Sequence, residues 1–134
     1  MEKPKKLKSA RGVRGMITVA EIRQAVENAS ELDWASITSP SREASVAAAR
    51  AIAMYLGRQL LVGDEWSYRT LAKMVGRRDH TTAINACHAI DAASPRAVPQ
   101  GLIKAAESLG VNWRTFVPLH EITRWEYRQR SRAR

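Results

Sequence analysis

The stretch GRRDHTTAINACHAI, residues 76–90, contains the local signals that decide the fold. Six polar residues (RRDHTT) precede an abruptly apolar helical pattern. The buried side of that pattern would consist of Ala83, Ile84, Cys87 and Ile90. Gly76 can adopt the positive φ that ends a helix, and Asp79 can cap the next one. Because Ser67 can cap a short helix over 68–75, the sequence predicts two short helices joined by a tight turn, a helix-turn-helix.

The rest of the chain has the periodicity of helices. Apolar residues recur at spacings of three and four over 18–31, 44–61, 99–109 and from about Pro118 onward. Thr18 and Glu21 have the spacing of a capping box. Residues 32–43 form a predicted loop, and Ser94-Pro95 breaks the pattern. Since no segment alternates apolar and polar residues, we predict an all-α helix-turn-helix bundle with extra C-terminal helices and basic tails.

Positive charge is concentrated at the two ends of the chain. The formal net charge is +9, and residues 1–16 hold six basic residues against one acidic residue. Residues 124–134 hold five against one, and residues 42–78 hold seven against three. This distribution suits a polyanion such as DNA, with tails that serve only solubility as the alternative. Residues 1–16 hold little to bury, so they predict a disordered basic arm.

Other classes of protein are disfavoured. A single cysteine, Cys87, excludes a disulfide framework and predicts a small core residue in a reducing cytoplasm. The basic start lacks the apolar run of a signal peptide, and no apolar run is long enough to span a membrane. We find no Gly-rich phosphate loop ending in Lys-Ser or Lys-Thr, and the histidines lack metal-ligand spacing. We therefore expect no nucleotide, no metal and no other cofactor.

Asp79 and His80 are the one pair with the chemistry of acid–base catalysis. Adjacent residues at a helix start point in different directions, and no nucleophile accompanies them. The ordinary interpretation of Asp79 is a helix cap, and we expect a protein that is not an enzyme.

The polar residues are explained together as a nucleic-acid surface. A helix that starts at His80 has unpaired, partially positive N–H groups in its first turn, which favour phosphate. Thr81, Asn85 and His88 share the face opposite the apolar residues, where they can reach base edges in a major groove.

Three residues flank this face at the level of the backbone. Arg77 and Arg78 lie in the turn, where arginines contact phosphates. A solvent-exposed side chain is the equally weighted alternative for Arg77. Ser67 can offer a backbone N–H to phosphate, although capping alone explains its presence.

These residues also resemble a known family. Gly76, Arg78, Asp79, His80, Thr81 and Thr82 resemble the signature of the C-terminal DNA-binding domain of bacterial chromosomal replication initiators, the DnaA family. The similarity extends back through SVAAARAIAMYL (45–56) and covers roughly residues 17–92, which we predict to be the DNA-binding domain. The resemblance implies the same all-α fold and binding to double-stranded DNA.

The resemblance also implies roles for single residues. Asp79, His80, Thr81 and Thr82 would enter the major groove and read bases, with Arg78 on phosphate. Arg42 would occupy the adjacent minor groove, and Arg50 and Arg58 would lie near the backbone. In the family the residues around this arginine are basic, but the neighbours of Arg42 are not. The connection before Ser67 is also longer than in the family. The resemblance therefore implies duplex binding more than recognition of the family's own box sequence.

Residues 93–134 form a predicted helical C-terminal extension with a basic tail. Packing back on the domain, forming a homodimer and binding a protein partner are all open alternatives for it. We predict a cytoplasmic, nucleoid-associated protein that binds double-stranded DNA with some sequence preference. A bacterial or phage transcriptional regulator is the leading hypothesis. A replication regulator competing at initiator sites, or a non-DNA adaptor with a basic surface, is the alternative.

Overall fold

The computed structural model describes residues 6–62, 66–93 and 97–132, and the all-α prediction is confirmed within these ranges. The helices are α1 (Ala10–Val13), α2 (Val19–Ser30), α3 (Trp34–Ile37), α4 (Ala44–Leu60), α5 (Tyr68–Met74), α6 (His80–Ala93), α7 (Gln100–Ser108) and α8 (Leu119–Arg132). A 3-10 helix at Trp113–Thr115 lies between α7 and α8. Extended pairing is limited, in the described ranges, to one isolated bridge between Lys8 and Val111.

Helix α2 begins where its capping signal places it. The Thr18 hydroxyl accepts a hydrogen bond from the Glu21 N–H at 3.1 Å, and the Glu21 carboxylate accepts one from the Thr18 N–H at 3.0 Å. This capping box satisfies two N–H groups that would otherwise lack a partner. The predicted loop 32–43 contains the short helix α3, because the Asp33 carboxylate accepts from the Ser36 N–H at 2.9 Å and caps it.

Helix α4 forms the centre of the molecule, and it packs against α1, α2, α3, α5, α6, α7 and α8. Its small residues allow this, since Ala49 and Ala53 are fully buried. At Gly57 an added Cβ would come within 2.5 Å of the Leu71 side chain, so glycine permits the close approach of α4 to α5. The predicted helix over 44–61 is confirmed as α4.

Residues 97–132 pack back on the rest of the chain. Leu102, Leu119 and Ile122 belong to the same hydrophobic core as Ile22 and Leu56. That packing agrees with one of the alternatives left open for the C-terminal segment. A domain boundary at residues 92 and 93 stays a prediction, and the predicted break at Ser94-Pro95 lies outside the described residues.

Two polar side chains, the buried Gln59 and the half-buried Asp91, tie α8 and the segment before it to the core. The Gln59 side-chain amide donates to the Val117 carbonyl at 2.6 Å and accepts from the Val117 N–H at 3.3 Å. The Asp91 carboxylate, near the end of α6, accepts from the Leu119 N–H at 3.3 Å. A buried amide that is paired on both sides avoids the cost of an unsatisfied polar group.

One packing prediction is wrong. The spacing of Leu119, Ile122 and Trp125 predicts that all three face inward, but Trp125 keeps 39% of its surface exposed. Beyond Ile122, the side of α8 that faces α4 carries Glu126, which pairs with Arg58. Trp125 is therefore turned away from the core.

The prediction of a disordered arm over residues 1–16 is wrong for residues 8–16. The Ala10 N–H donates to the Thr115 hydroxyl at 2.8 Å, and Ala10 and Val13 are buried. The Arg14 Nε donates to the Gln59 carbonyl at 2.8 Å. These partners lie 45 to 105 positions away in sequence, so local composition carried no signal for them. Residues 1–5 lie outside the described residues.

Candidate nucleic-acid interface

The turn between α5 and α6 has the geometry that its sequence predicts. Ser67 caps α5, its hydroxyl accepting from the Thr70 N–H at 3.4 Å. Gly76 has φ +79°, and the N–H of Arg77 donates to the Ala72 carbonyl at 2.8 Å. The left-handed glycine and this bond close the end of α5 as a Schellman motif. The helix-turn-helix is therefore fixed by local backbone chemistry.

Helix α6 separates an apolar side from a polar side. Ala83, Cys87 and Ile90 are buried. The exposed side contains the predicted base-reading residues, which are His80, Thr81, Thr82, Asn85 and His88. Since they extend from the amino end of α6 along one exposed side, they can all contact the same partner surface.

Asp79 caps this exposed end. Its carboxylate accepts a hydrogen bond from the Thr81 N–H at 2.9 Å. That bond from the Thr81 backbone, then the Thr81 hydroxyl and the nearby His80, hold the pKa of Asp79 below its ordinary value. Burial opposes the shift but does not outweigh the two Thr81 contacts. Asp79 is thus engaged as a cap, as its ordinary interpretation predicts.

The loop that carries Arg42 is held against the turn. A Cβ at Gly76 would lie 2.6 Å from the Thr38 carbonyl oxygen, so only glycine allows this approach. The next carbonyl, that of Ser39, accepts hydrogen bonds from Arg77 at 3.2 Å and from Arg50 at 3.1 Å. Arg42 itself is exposed, and the contacts of its loop place it on the side of the molecule where α6 begins.

Arg77 is thereby assigned a partner that the sequence did not predict. It is half-buried, and one of its guanidinium nitrogens bonds the Ser39 carbonyl, while Arg78 beside it is exposed. No sequence signal could have indicated Ser39, because any residue supplies a backbone carbonyl. The sequence indicated only that Ser39 lies in a loop, because Pro40 follows it.

Arg50 requires a correction. We predicted it near the DNA backbone, but it is only 5% exposed and donates to the carbonyls of Ser39 and Ser41. Burial, and then the positive charge of Arg77, lower its pKa from the ordinary value. Arg50 therefore positions the Arg42 loop from inside the molecule and does not present its guanidinium at the surface.

Arg58 also requires a correction. It is 6% exposed, and its guanidinium forms two hydrogen bonds with the Glu126 carboxylate, at 2.6 and 2.9 Å. Burial disfavours its charge, but the Glu126 and Tyr68 partners outweigh burial and raise its pKa. The guanidinium lies 4.8 Å from the Tyr68 ring centroid. Arg58 holds α8 against α4 and α5, where we had predicted a contact near the DNA backbone.

The far end of the exposed side of α6 has an aromatic neighbour. The His88 and Tyr68 rings are stacked, with centroids 6.4 Å apart and an interplanar angle of 28°. Ser67, next to Tyr68, is exposed at the start of α5. The structure thus places Ser67 and His88 on one flank, and Arg77, Arg78 and the Arg42 loop on the other.

The single thiol of the chain, Cys87, is buried on the core-facing side of α6. Burial raises the pKa of the Cys87 thiol to about 12, so at neutral pH the thiol is protonated and a poor nucleophile. Among the described residues, no group of three or more His, Cys, Asp or Glu side chains could hold a metal ion. In the same ranges, no helix is long and apolar enough to cross a membrane.

Comparisons with known proteins converge on this region. The model of the bacterial DnaA protein helix-turn-helix matches residues 19–90, more than half of the chain. The chain is similar to chromosomal replication initiator proteins DnaA. It is 36% identical to that of Sphingopyxis alaskensis over 84 residues, or 63% of this chain and 18% of the relative. It is 38% identical to that of Symbiobacterium thermophilum over 74 residues, or 55% of this chain and 16% of the relative.

A third relative, DnaA of Bordetella pertussis, is 34% identical over 76 residues, which are 57% of this chain and 16% of the relative. The match thus spans less than a fifth of the length of each of these relatives. No solved structure matches the chain.

Proposed function

The chain belongs to the bacterial DnaA helix-turn-helix family, and from this membership we propose that it is a sequence-preferring double-stranded DNA-binding protein with a regulatory role. The family's helix-turn-helix is a DNA-binding module and not a catalytic one. In this proposal the amino end of α6 enters the major groove, where Thr81 and Asn85 contact base edges.

The observation that carries the proposal is the exposed amino end of α6, with arginine-bearing segments fixed beside it. Arg78 is exposed in the turn, and Arg42 is exposed on a loop that Arg50 and Arg77 anchor. Cations held beside a helix end can contact phosphates while the helix reads bases, and they lose little entropy on binding.

Selection from a random pool of DNA duplexes tests the proposal. We expect the protein to retain duplexes that share a motif. Thr81→Ala should then weaken binding to the preferred duplex by about 1–3 kcal/mol, because a base contact is lost, with little effect on unrelated duplexes. Asn85→Ala should act in the same direction. Binding is measured by fluorescence anisotropy on both kinds of duplex.

Asn28→Ala is the matched control, since Asn28 is also an exposed asparagine on a helix, away from α6. It should leave both affinities unchanged. Equal weakening of all duplexes by Thr81→Ala would show that α6 does not read bases. Failure to retain any duplex at moderate salt would favour the adaptor alternative, in which the basic surface meets an acidic protein.

A second candidate role is that of a replication regulator that competes at initiator sites. The observation that favours it is the similarity to replication initiators across the helix-turn-helix itself. A selected motif related to initiator boxes, together with displacement of an initiator from its box, would support competition. An unrelated motif would support a bacterial or phage transcriptional regulator.

A further inference from the structure

A second basic surface lies between α1 and α8, apart from α6. It is a groove of about 750 Å³, with Arg11 and Arg14 on one side and Arg124 and Arg128 on the other. Trp125, the tryptophan that the core leaves exposed, lines the groove between the arginines of α8. We name this feature the α1–α8 groove.

The walls of the α1–α8 groove are braced. The Thr115 hydroxyl accepts from the Ala10 N–H at 2.8 Å and donates to the Asn112 carbonyl at 2.6 Å, which ties α1 to the 3-10 helix. The Gly15 N–H donates to the Leu60 carbonyl at 2.9 Å, which ties the end of α1 to the end of α4. A groove that is already formed loses little ordering entropy when a partner binds.

Positive charge in the groove exceeds what its own acids neutralise. Glu121 is the one acidic side chain that lines it in the described part of the chain, against four arginines. Burial lowers the pKa of the Arg14 guanidinium, and the charges of Arg11 and then Arg58 lower it further, which Glu126 only partly offsets. Like charges held this close favour a ligand that brings negative charge.

The lining also has an apolar part. Val62, exposed at 39% beyond the end of α4, lines it with Val117, Ile122 and Trp125. Aliphatic side chains offer nothing to the polar edges of bases, but they suit the aliphatic or aromatic side chains of a peptide. Arginine and tryptophan side chains are the residues most often found at the energetic centre of protein interfaces.

We infer that the α1–α8 groove binds an acidic segment of a partner protein, which inserts apolar side chains against Val62 and Trp125 while its carboxylates pair with Arg124 and Arg128. This inference does not depend on the proposed DNA function, since it uses different residues. A second copy of this chain fits less well. Its α2 carries Glu21 and Glu27, but the residues exposed along that helix include the basic Arg23 and supply no large apolar anchor; they are Ala20, Glu21, Arg23, Gln24 and Asn28.

The experiment uses the full chain as bait for a phage-displayed library of random twelve-residue peptides. The most enriched peptide is then labelled with fluorescein and titrated in an anisotropy assay. We expect enriched peptides to combine Asp or Glu with Leu, Ile, Phe or Trp. Arg124→Glu with Arg128→Glu should weaken the labelled peptide about tenfold or more, and Trp125→Ala should weaken it as well. The two arginine side chains are exposed, so the melting temperature of the double arginine variant should stay the same.

Lys104→Glu is the control for a charge reversal outside the groove, because Lys104 is exposed on α7 and does not line the groove. It should leave peptide affinity within about twofold. Thr81→Ala should leave the peptide unaffected while it weakens DNA, so failure of one function is distinguishable from failure of the other. Enrichment without an acidic bias would overturn the inference. So would tighter binding of a labelled dT12 oligonucleotide than of the peptide in the same groove, or self-association that the groove substitutions abolish.

Discussion

The two halves of α4 each contain a buried arginine, and only one of the two has a carboxylate that compensates its charge. Arg50, near the helix-turn-helix turn, bonds two neutral backbone carbonyls and keeps its charge uncompensated. Arg58, eight residues later, is paired with the Glu126 carboxylate. The positive field is thus retained where phosphates are expected and cancelled where α8 packs. One arginine of α4 thus supports the expected binding surface, and the other stabilises the packing of α8.

The largest expected effect tests the cohesive end. Arg58→Met leaves the Glu126 carboxylate, 21% exposed, without its partner. Breaking such a pair should lower the free energy of unfolding by about 2–4 kcal/mol, measured by urea denaturation followed by circular dichroism. Binding to the preferred DNA motif should persist below the unfolding transition.

A double substitution checks the cause. Arg58→Met with Glu126→Leu replaces the ion pair with apolar groups, and most of the lost stability should return. A double variant as unstable as the single one would mean that packing, rather than the stranded carboxylate, explains the loss.

The turn at the binding end comes next. Gly76→Ala should cost about 2–3 kcal/mol of unfolding free energy, because alanine disfavours the φ of +79° and its Cβ meets the Thr38 carbonyl. Gly110→Ala is the matched control, since its φ is +75° but nothing lies within 4 Å of an added Cβ. It should cost only about 1 kcal/mol. Equal losses at the two glycines would show that the approach of Thr38 is unimportant.

The comparison of Arg50 with Arg58 predicts that Arg50 affects DNA binding indirectly, by positioning the loop that carries Arg42. Arg50→Met should weaken binding to the preferred duplex by about 1 kcal/mol, because the Arg42 loop loses two hydrogen bonds that fix it. Arg42→Ala should produce a similar loss, and the double variant should lose little more than either single variant. Additive losses in anisotropy titrations would separate the two residues and contradict the positioning role.

The smallest effect concerns the cap of α6 and depends on pH. The pKa of the Asp79 carboxyl is lowered in the folded protein, chiefly by the hydrogen bond from the Thr81 N–H. Its ionised form therefore stabilises the fold above the ordinary pKa of an aspartate, and this contribution is lost as pH falls through the lower, folded-state pKa. The stability difference between the protein and its Asp79→Asn variant should shrink over that acidic range. A difference that does not change with pH would rule out the charge of Asp79 as its source.

Local signals account for what the sequence predicted correctly. The Thr18 capping box, the Ser67 cap and the left-handed Gly76 each act within a few residues, so their effect is visible in the sequence alone. The exposed side of α6 followed from helical periodicity in the same way. These signals were enough for the helix-turn-helix and for the residues at its surface.

The errors share a different cause. Arg58 was predicted near DNA, but its partner Glu126 is 68 positions away in sequence. The order of residues 8–16 depends on Thr115 and Gln59, and Trp125 is exposed where Glu126 takes the side of α8 that faces α4. A sequence does not distinguish an arginine that pairs with a distant carboxylate from one that is free to bind phosphate. Only the tertiary fold determines which of the two an arginine is.

The burial of Cys87 on the core-facing side of α6 has a practical consequence. It is the only thiol in the chain, it has no exposed surface, and it lies on the side of α6 that packs against the core. A thiol reagent can reach it only when α6 lifts away or the whole molecule unfolds. The rate at which the reagent labels Cys87 therefore reports how often α6 detaches from the core. If that rate exceeds the rate of global unfolding, α6 opens without the rest of the molecule.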